Sequence, residues 1–92
     1  MARVALYGAT WCGSSIRAER LLRERGVAYV FIDVDEVPGA RLAMVERSGE
    51  VSIPQLLVDG RAVGGYDALL DLDAKGVLVR VLGGGATDHR HV

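Results

Sequence analysis

The chain has 92 residues, half of them hydrophobic, with a formal charge of -1 and a pI near 6.1. That length makes one small domain, and the near-neutral balance gives no electrostatic footprint for nucleic acid or a membrane surface. A single cysteine excludes an internal disulfide, and no apolar run is long enough to span a bilayer, so the expected setting is soluble, reducing and cytoplasmic.

Residues 3–7 (RVALY) are apolar and read as a buried strand that Gly8 stops. Thr10-Trp11-Cys12-Gly13-Ser14-Ser15 follows and holds the only thiol. From residue 14 to 25, Ala18, Leu21 and Leu22 recur at helical spacing, with N-cap chemistry from the two serines and Gly26 as the stop. Arg17, Glu19, Arg20, Arg23 and Glu24 fill the other face and read as solvated charges, with Glu19 and Arg23 at a supportive spacing. A cysteine at this strand-to-helix junction meets unpaired backbone N–H groups and the positive end of the helix dipole, which favour thiolate. A small buried hydrophobe is the competing reading, and the stretch alone leaves the two open.

Residues 27–34 (VAYVFIDV) read as a second strand, covered on both faces. A turn at 35–39 leads to a short helix at 40–47 marked by Leu42 and Val45. Strand, helix, strand implies a right-handed crossover and a parallel pair. Residues 56–58 form a third strand, Asp59-Gly60 signals a two-residue hairpin, and 61–63 return antiparallel before Gly64-Gly65. Pro54 stands at the entrance of that hairpin, where proline is tolerated. Residues 66–75 read as a helix, with Ala68, Leu69 and Leu72 on one face. Composition makes 77–82 a strand, whereas the order of elements makes it a short final helix, and we take it as helix. Residues 83–92 open with three glycines and are expected to be a disordered tail beyond a domain of residues 1–82. The expectation is an α/β domain in the order β-α-β-α-β-β-α, its mixed four-stranded sheet flanked by helices.

Three further stretches stand in order around the cysteine: Arg47-Ser48-Gly49, Ser52-Ile53-Pro54-Gln55 and Val63-Gly64-Gly65-Tyr66-Asp67. They are similar to the R-S-G, T-V-P-Q and I-G-G-x-D stretches of glutaredoxins, small proteins of thioredoxin-like fold. The resemblance covers nearly the whole chain, from about Arg3 to Leu82. It implies a cis Ile53–Pro54 peptide that turns backbone groups of Ile53 outward, so that an extended peptide can pair with them. In the family that peptide is glutathione. Ile53 would hold its cysteinyl unit, and Ser52 and Pro54 would also belong to the glutathione-binding set. Gly65, Tyr66 and Asp67 would take its γ-glutamyl end through helix N-terminal N–H groups and the Asp67 carboxylate. Arg41 matches a basic position that can reach the glycyl carboxylate.

The resemblance makes Cys12 the catalytic thiol, supported by Trp11, Gly13, Ser14, Ser15 and Pro54. Many relatives carry C-P-Y-C where this chain has Cys12-Gly13-Ser14-Ser15, so only a one-thiol route is open. That route makes the chain a glutathione-dependent thiol–disulfide oxidoreductase acting on glutathionylated proteins or small disulfides, as a monomer. Gly13 in place of proline, Ser14 in place of an aromatic, and Ala9 in place of a frequent lysine should leave the thiolate less supported than is usual in the family. Ser15 offers either a hydrogen bond to the sulfur or a helix cap. Monothiol relatives with C-G-F-S suggest an alternative: a [2Fe–2S] carrier in which Cys12 is the metal ligand, two chains and two glutathiones sharing the cluster. A further alternative is a weakly active or inactive binding or regulatory module. No resident metal site is expected from Asp88, His89 and His91, and nothing in the sequence places Asp33, Asp35 or Glu36 near Cys12.

Overall fold

The computed structural model describes residues 3–83 and 89–92. Strand β1 (Val4–Gly8) leads to helix α1 (Gly13–Glu24), then β2 (Tyr29–Asp33), α2 (Ala40–Ser48), β3 (Gln55–Val58) and β4 (Arg61–Gly64). Helices α3 (Tyr66–Ala74) and α4 (Leu78–Leu82) and strand β5 (His89–His91) complete the order. The sheet runs β4-β3-β1-β2-β5; β1–β2 and β2–β5 are parallel, while β1–β3 and β3–β4 are antiparallel.

Period-two alternation along the strands sorts the core into two layers. Val4, Leu6, Tyr29, Phe31, Leu56 and Val58 face Ala18, Leu21 and Leu22 of α1, Leu69 of α3, and Leu78 and Leu82 of α4. Tyr7 and Leu57 face the other way, against Ala40 and Met44 of α2. The hairpin turn takes positive φ at both central residues, 51° at Asp59 and 79° at Gly60, the geometry that matches strand twist. The 77–82 stretch is helical because Leu78 and Leu82, four apart, both reach the core. Burying two leucines contributes roughly 1.5–3 kcal/mol each, more than the ~1 kcal/mol span of strand propensity.

The four expected strands form, and a fifth joins them. The expectation of a disordered tail is therefore corrected for residues 89–91; residues 84–88 lie outside the described residues. The strand exists because β2 offers an open ladder: Val92 N–H donates to Phe31 O at 2.8 Å, and Asp33 N–H donates to Val92 O at 3.1 Å. The His91 ring stacks on Phe31, with centroids 4.6 Å apart, and its Nε2 lies 2.6 Å from Glu19 Oε1. Tyr29 donates its hydroxyl to the same Glu19 oxygen at 2.7 Å and accepts from Arg23 Nε at 2.9 Å. Burial, then the Glu19 bond, pushes the Tyr29 hydroxyl up to about 12. Glu19 and Arg23 thus do more than cover a solvated face.

Candidate functional site around Cys12

Cys12 is the N-cap residue of α1, in extended conformation (φ -89°, ψ 117°). Its N–H donates back to Ala9 O at 3.1 Å, and its C=O accepts from Ile16 N–H at 3.1 Å. The sulfur is free and partly exposed. The serines were expected to cap the helix; Cys12 occupies the cap instead, and Ser15 lies inside the helix, wholly buried. Ser15 Oγ accepts from Ala9 N–H at 3.2 Å. Burial pushes the Cys12 thiol up, but the Ser15 hydroxyl, the N–H groups of Ser15 and Ser14, and the Arg17 charge outweigh it and hold the thiol below its ordinary value.

Gly8 makes the Ser15 seat possible. A Cβ on Gly8 would stand 2.5 Å from Ser15 Oγ, 2.9 Å from Ser15 Cβ and 3.0 Å from the Phe31 ring. The sequence shows Gly8 only as a strand stop; its role as a gap for a helix side chain appears with the packing of α1 on β1.

The active-site turn contributes Ser14, though not Cys12 itself, to the lining of an open groove of about 440 Å³, which Glu50, Ser52, Ile53, Pro54, Gln55, Gly64, Gly65, Tyr66 and Asp67 complete. The Ile53–Pro54 peptide is cis. Gly65 packs so close that a Cβ there would lie 3.1 Å from Pro54 O, and a register irregularity at Leu56/Leu57 brings the end of β4 into that position. Gly65 is the N-cap of α3 with no side-chain cap, so the first-turn N–H groups face the groove without a capping side chain. Asp67 stands exposed in that turn. Gln55 Nε2 donates to Ser52 O at 3.0 Å and Ser52 Oγ at 3.2 Å, fixing the loop before the cis bond. Glu50 and Gln55 belong to this lining, and no motif reading had given either a role.

Of the anticipated residues, Ser14, Ser52, Ile53, Pro54, Gly65, Tyr66 and Asp67 meet in the groove, and Arg41 does not line it. Arg41 Nη2 donates to Asp35 Oδ1 at 2.8 Å, and Trp11 Nε1 donates to Asp35 Oδ2 at 2.6 Å. These two bonds, Trp11 first, hold the Asp35 carboxyl below its usual range. No motif places Asp35 near the cysteine, but its carboxylate grips Trp11, the residue before Cys12. Asp33 is buried and accepts the N–H groups of Asp35 and Glu36 at 2.9 and 3.2 Å, shaping that turn. Arg17, expected on a solvated face, lies with Cζ 5.9 Å from the centre of the Tyr66 ring.

A lowered thiol at a helix N-terminus, beside a cis-proline loop on a β-α-β-α-β-β-α scaffold, defines a thiol redox protein of thioredoxin-like fold. The glutaredoxin family model matches residues 4–63, well over half the chain. Glutaredoxin 3 of Escherichia coli K12 is 37% identical over 78 residues, covering 85% of this chain and 94% of that protein. The solution structure of glutaredoxin from Brucella melitensis superposes with a TM-score of 0.74 at 35% identity, covering 89% of each chain. The crystal structure of the buckwheat glutaredoxin–glutathione complex shares the fold, with a TM-score of 0.78 at 24% identity over 87% of this chain and 76% of that one. The chain belongs to the glutaredoxin family, whose members are thiol–disulfide oxidoreductases. No helix among the described residues is long and apolar enough to cross a membrane.

Proposed function

We propose that this chain is a monothiol oxidoreductase that removes glutathione from mixed disulfides through Cys12. One observation carries the reading: the turn that holds the lowered Cys12 thiol contributes Ser14 to the groove, and the place of a second cysteine is filled by Ser15. The Cys12 thiolate attacks the glutathione sulfur of a mixed disulfide. A Cys12–glutathione disulfide forms, and the substrate leaves as a thiolate that takes a proton from water. The thiolate of a second glutathione attacks the glutathionyl sulfur held on Cys12, releasing oxidised glutathione and restoring the Cys12 thiolate.

The groove residues divide the binding. Backbone groups of Ile53 pair with the cysteinyl unit, with Ser52 and Pro54 shaping the loop. The α3 N-terminal N–H groups at Tyr66 and Asp67 receive the γ-glutamyl carboxylate, and the Asp67 side chain pairs with its ammonium. Gly65 keeps this corner open by its lack of a side chain. Arg41 reaches the glycyl carboxylate only by leaving Asp35. The cluster-carrier reading uses the same sulfur; one chain gives one of the four thiolates a [2Fe–2S] centre takes, and no feature of the groove favours it over disulfide exchange.

The test is a coupled assay with a glutathione mixed disulfide, comparing wild type with Cys12→Ser. Turnover with ping-pong kinetics that vanishes in the variant is expected. Equal rates for the two proteins would overturn the proposal.

A further inference from the structure

A thiolate used for attack needs positive charge nearby, and most of this site is acidic. Glu50 and Asp67 line the groove, and Asp35 holds Trp11. Ala9, three residues before Cys12, is neutral and wholly buried. Arg41 is engaged by Asp35, and Arg47 donates from Nη1 to the Tyr7 hydroxyl at 2.6 Å.

Arg17 differs from both. Among the described residues no carboxylate pairs with it. Its guanidinium instead lies across the active-site turn: a Cβ on Gly13 would meet Nη1 at 3.4 Å, Nη2 at 3.5 Å and Cζ at 3.7 Å. Both terminal nitrogens lie nearer than Cζ, so the Nη1/Nη2 end of the group is turned toward Gly13, the residue after Cys12. The Tyr66 ring also lies near it, with Cζ 5.9 Å from the ring centre, within cation–π range. Tyr66 also lines the groove, so the pair bridges α1 and α3 at the groove's edge.

We infer that Tyr66 carries Arg17 across the turn and that Arg17 is the cation that serves the Cys12 sulfur in this chain. Tyr66 is a positioning residue acting through Arg17. The assignment fits the downward pull of the Arg17 charge on the thiol, alongside the larger Ser15 contribution. The inference rests on Cys12 being the reacting sulfur, as in the reading above.

Alkylation of Cys12 by iodoacetamide, followed against pH with no glutathione present, tests it. In Arg17→Gln the profile should move to higher pH, with rates below the midpoint about threefold to tenfold lower and an unchanged alkaline plateau. Arg17→Lys should recover more than half of that loss. Tyr66→Leu should shift the profile the same way by less, and should add nothing in the Arg17→Gln background. Added salt should narrow the gap between wild type and Arg17→Gln. A profile for Arg17→Gln that superimposes on wild type would overturn the inference, as would a Tyr66→Leu shift of equal size in both backgrounds. Since iodoacetamide needs no glutathione, loss of turnover in the coupled assay leaves this result standing, and the reverse also holds.

Discussion

The two sides of the site are built from different materials. On the groove side, Ile53–Pro54, Gly65 and the first turn of α3 present mainly backbone: a cis peptide, a bare Cα and uncapped N–H groups. On the sulfur side the support comes from side chains: the buried Ser15 hydroxyl, the Arg17 guanidinium and the gap left by Gly8. Backbone-made surfaces tolerate exchange of most neighbouring side chains but demand particular glycines and prolines. Side-chain-made surfaces can be rebuilt one residue at a time. This chain's sulfur side is of that kind, with Ser15 seated in the gap at Gly8 and Arg17 set near Gly13 and Tyr66.

The contrast can be broken most sharply at Ser15. Ser15→Ala removes the hydroxyl and leaves the Ala9 N–H buried without its acceptor, at a cost of about 1–3 kcal/mol of stability by urea titration. The Cys12 thiol loses a hydroxyl that pulls it down, so its titration moves up. The pH–rate profile of disulfide exchange moves with it, and rates below the midpoint fall about tenfold. An unmoved profile would show that the backbone N–H groups and Arg17 suffice.

Asp67→Asn probes the groove side. With Asp67 pairing as proposed, the expected result is a rise of about threefold to tenfold in KM for a glutathionylated substrate with kcat little changed, since such a pairing is the same before and during attack. A fall in kcat at constant KM would instead tie Asp67 to the reacting centre. The smallest effect is expected at Arg41→Ala. Asp35 already holds this exposed side chain, and surface pairs of that kind are worth about 0–1 kcal/mol, so KM should change by about twofold or less. A rise beyond about fivefold would mean that Arg41 exchanges Asp35 for the substrate's carboxylate.

The same division explains what could be read from the amino acids. Ser52-Ile53-Pro54 and Gly64-Gly65-Tyr66-Asp67 were legible because backbone geometry of that kind demands fixed residue types in short runs. So were the element order and the Asp59-Gly60 turn. The Gly8–Ser15 fit, the Asp35 grip on Trp11 and the Arg17–Tyr66 bridge were not, because each joins residues from different elements and depends on how the helices settle on the sheet. Strand β5 was illegible for another reason. His89-Arg90-His91 has no apolar alternation and follows a glycine run, so its order comes from the β2 ladder and from His91 on Phe31 and Glu19.

That short strand also bears on how the molecule meets others of its kind. The β2 sequence Tyr-Val-Phe-Ile-Asp, left with an open row of backbone donors and acceptors, is the sort of surface that recruits another chain into a growing sheet. By occupying that row, β5 replaces an apolar edge of five residues with one of three basic residues. The opposite edge, β4, spans four residues and opens on the exposed Arg61. Both ends of the sheet therefore close on short, charge-bearing strands, which oppose edge-to-edge aggregation of the protein at high concentration.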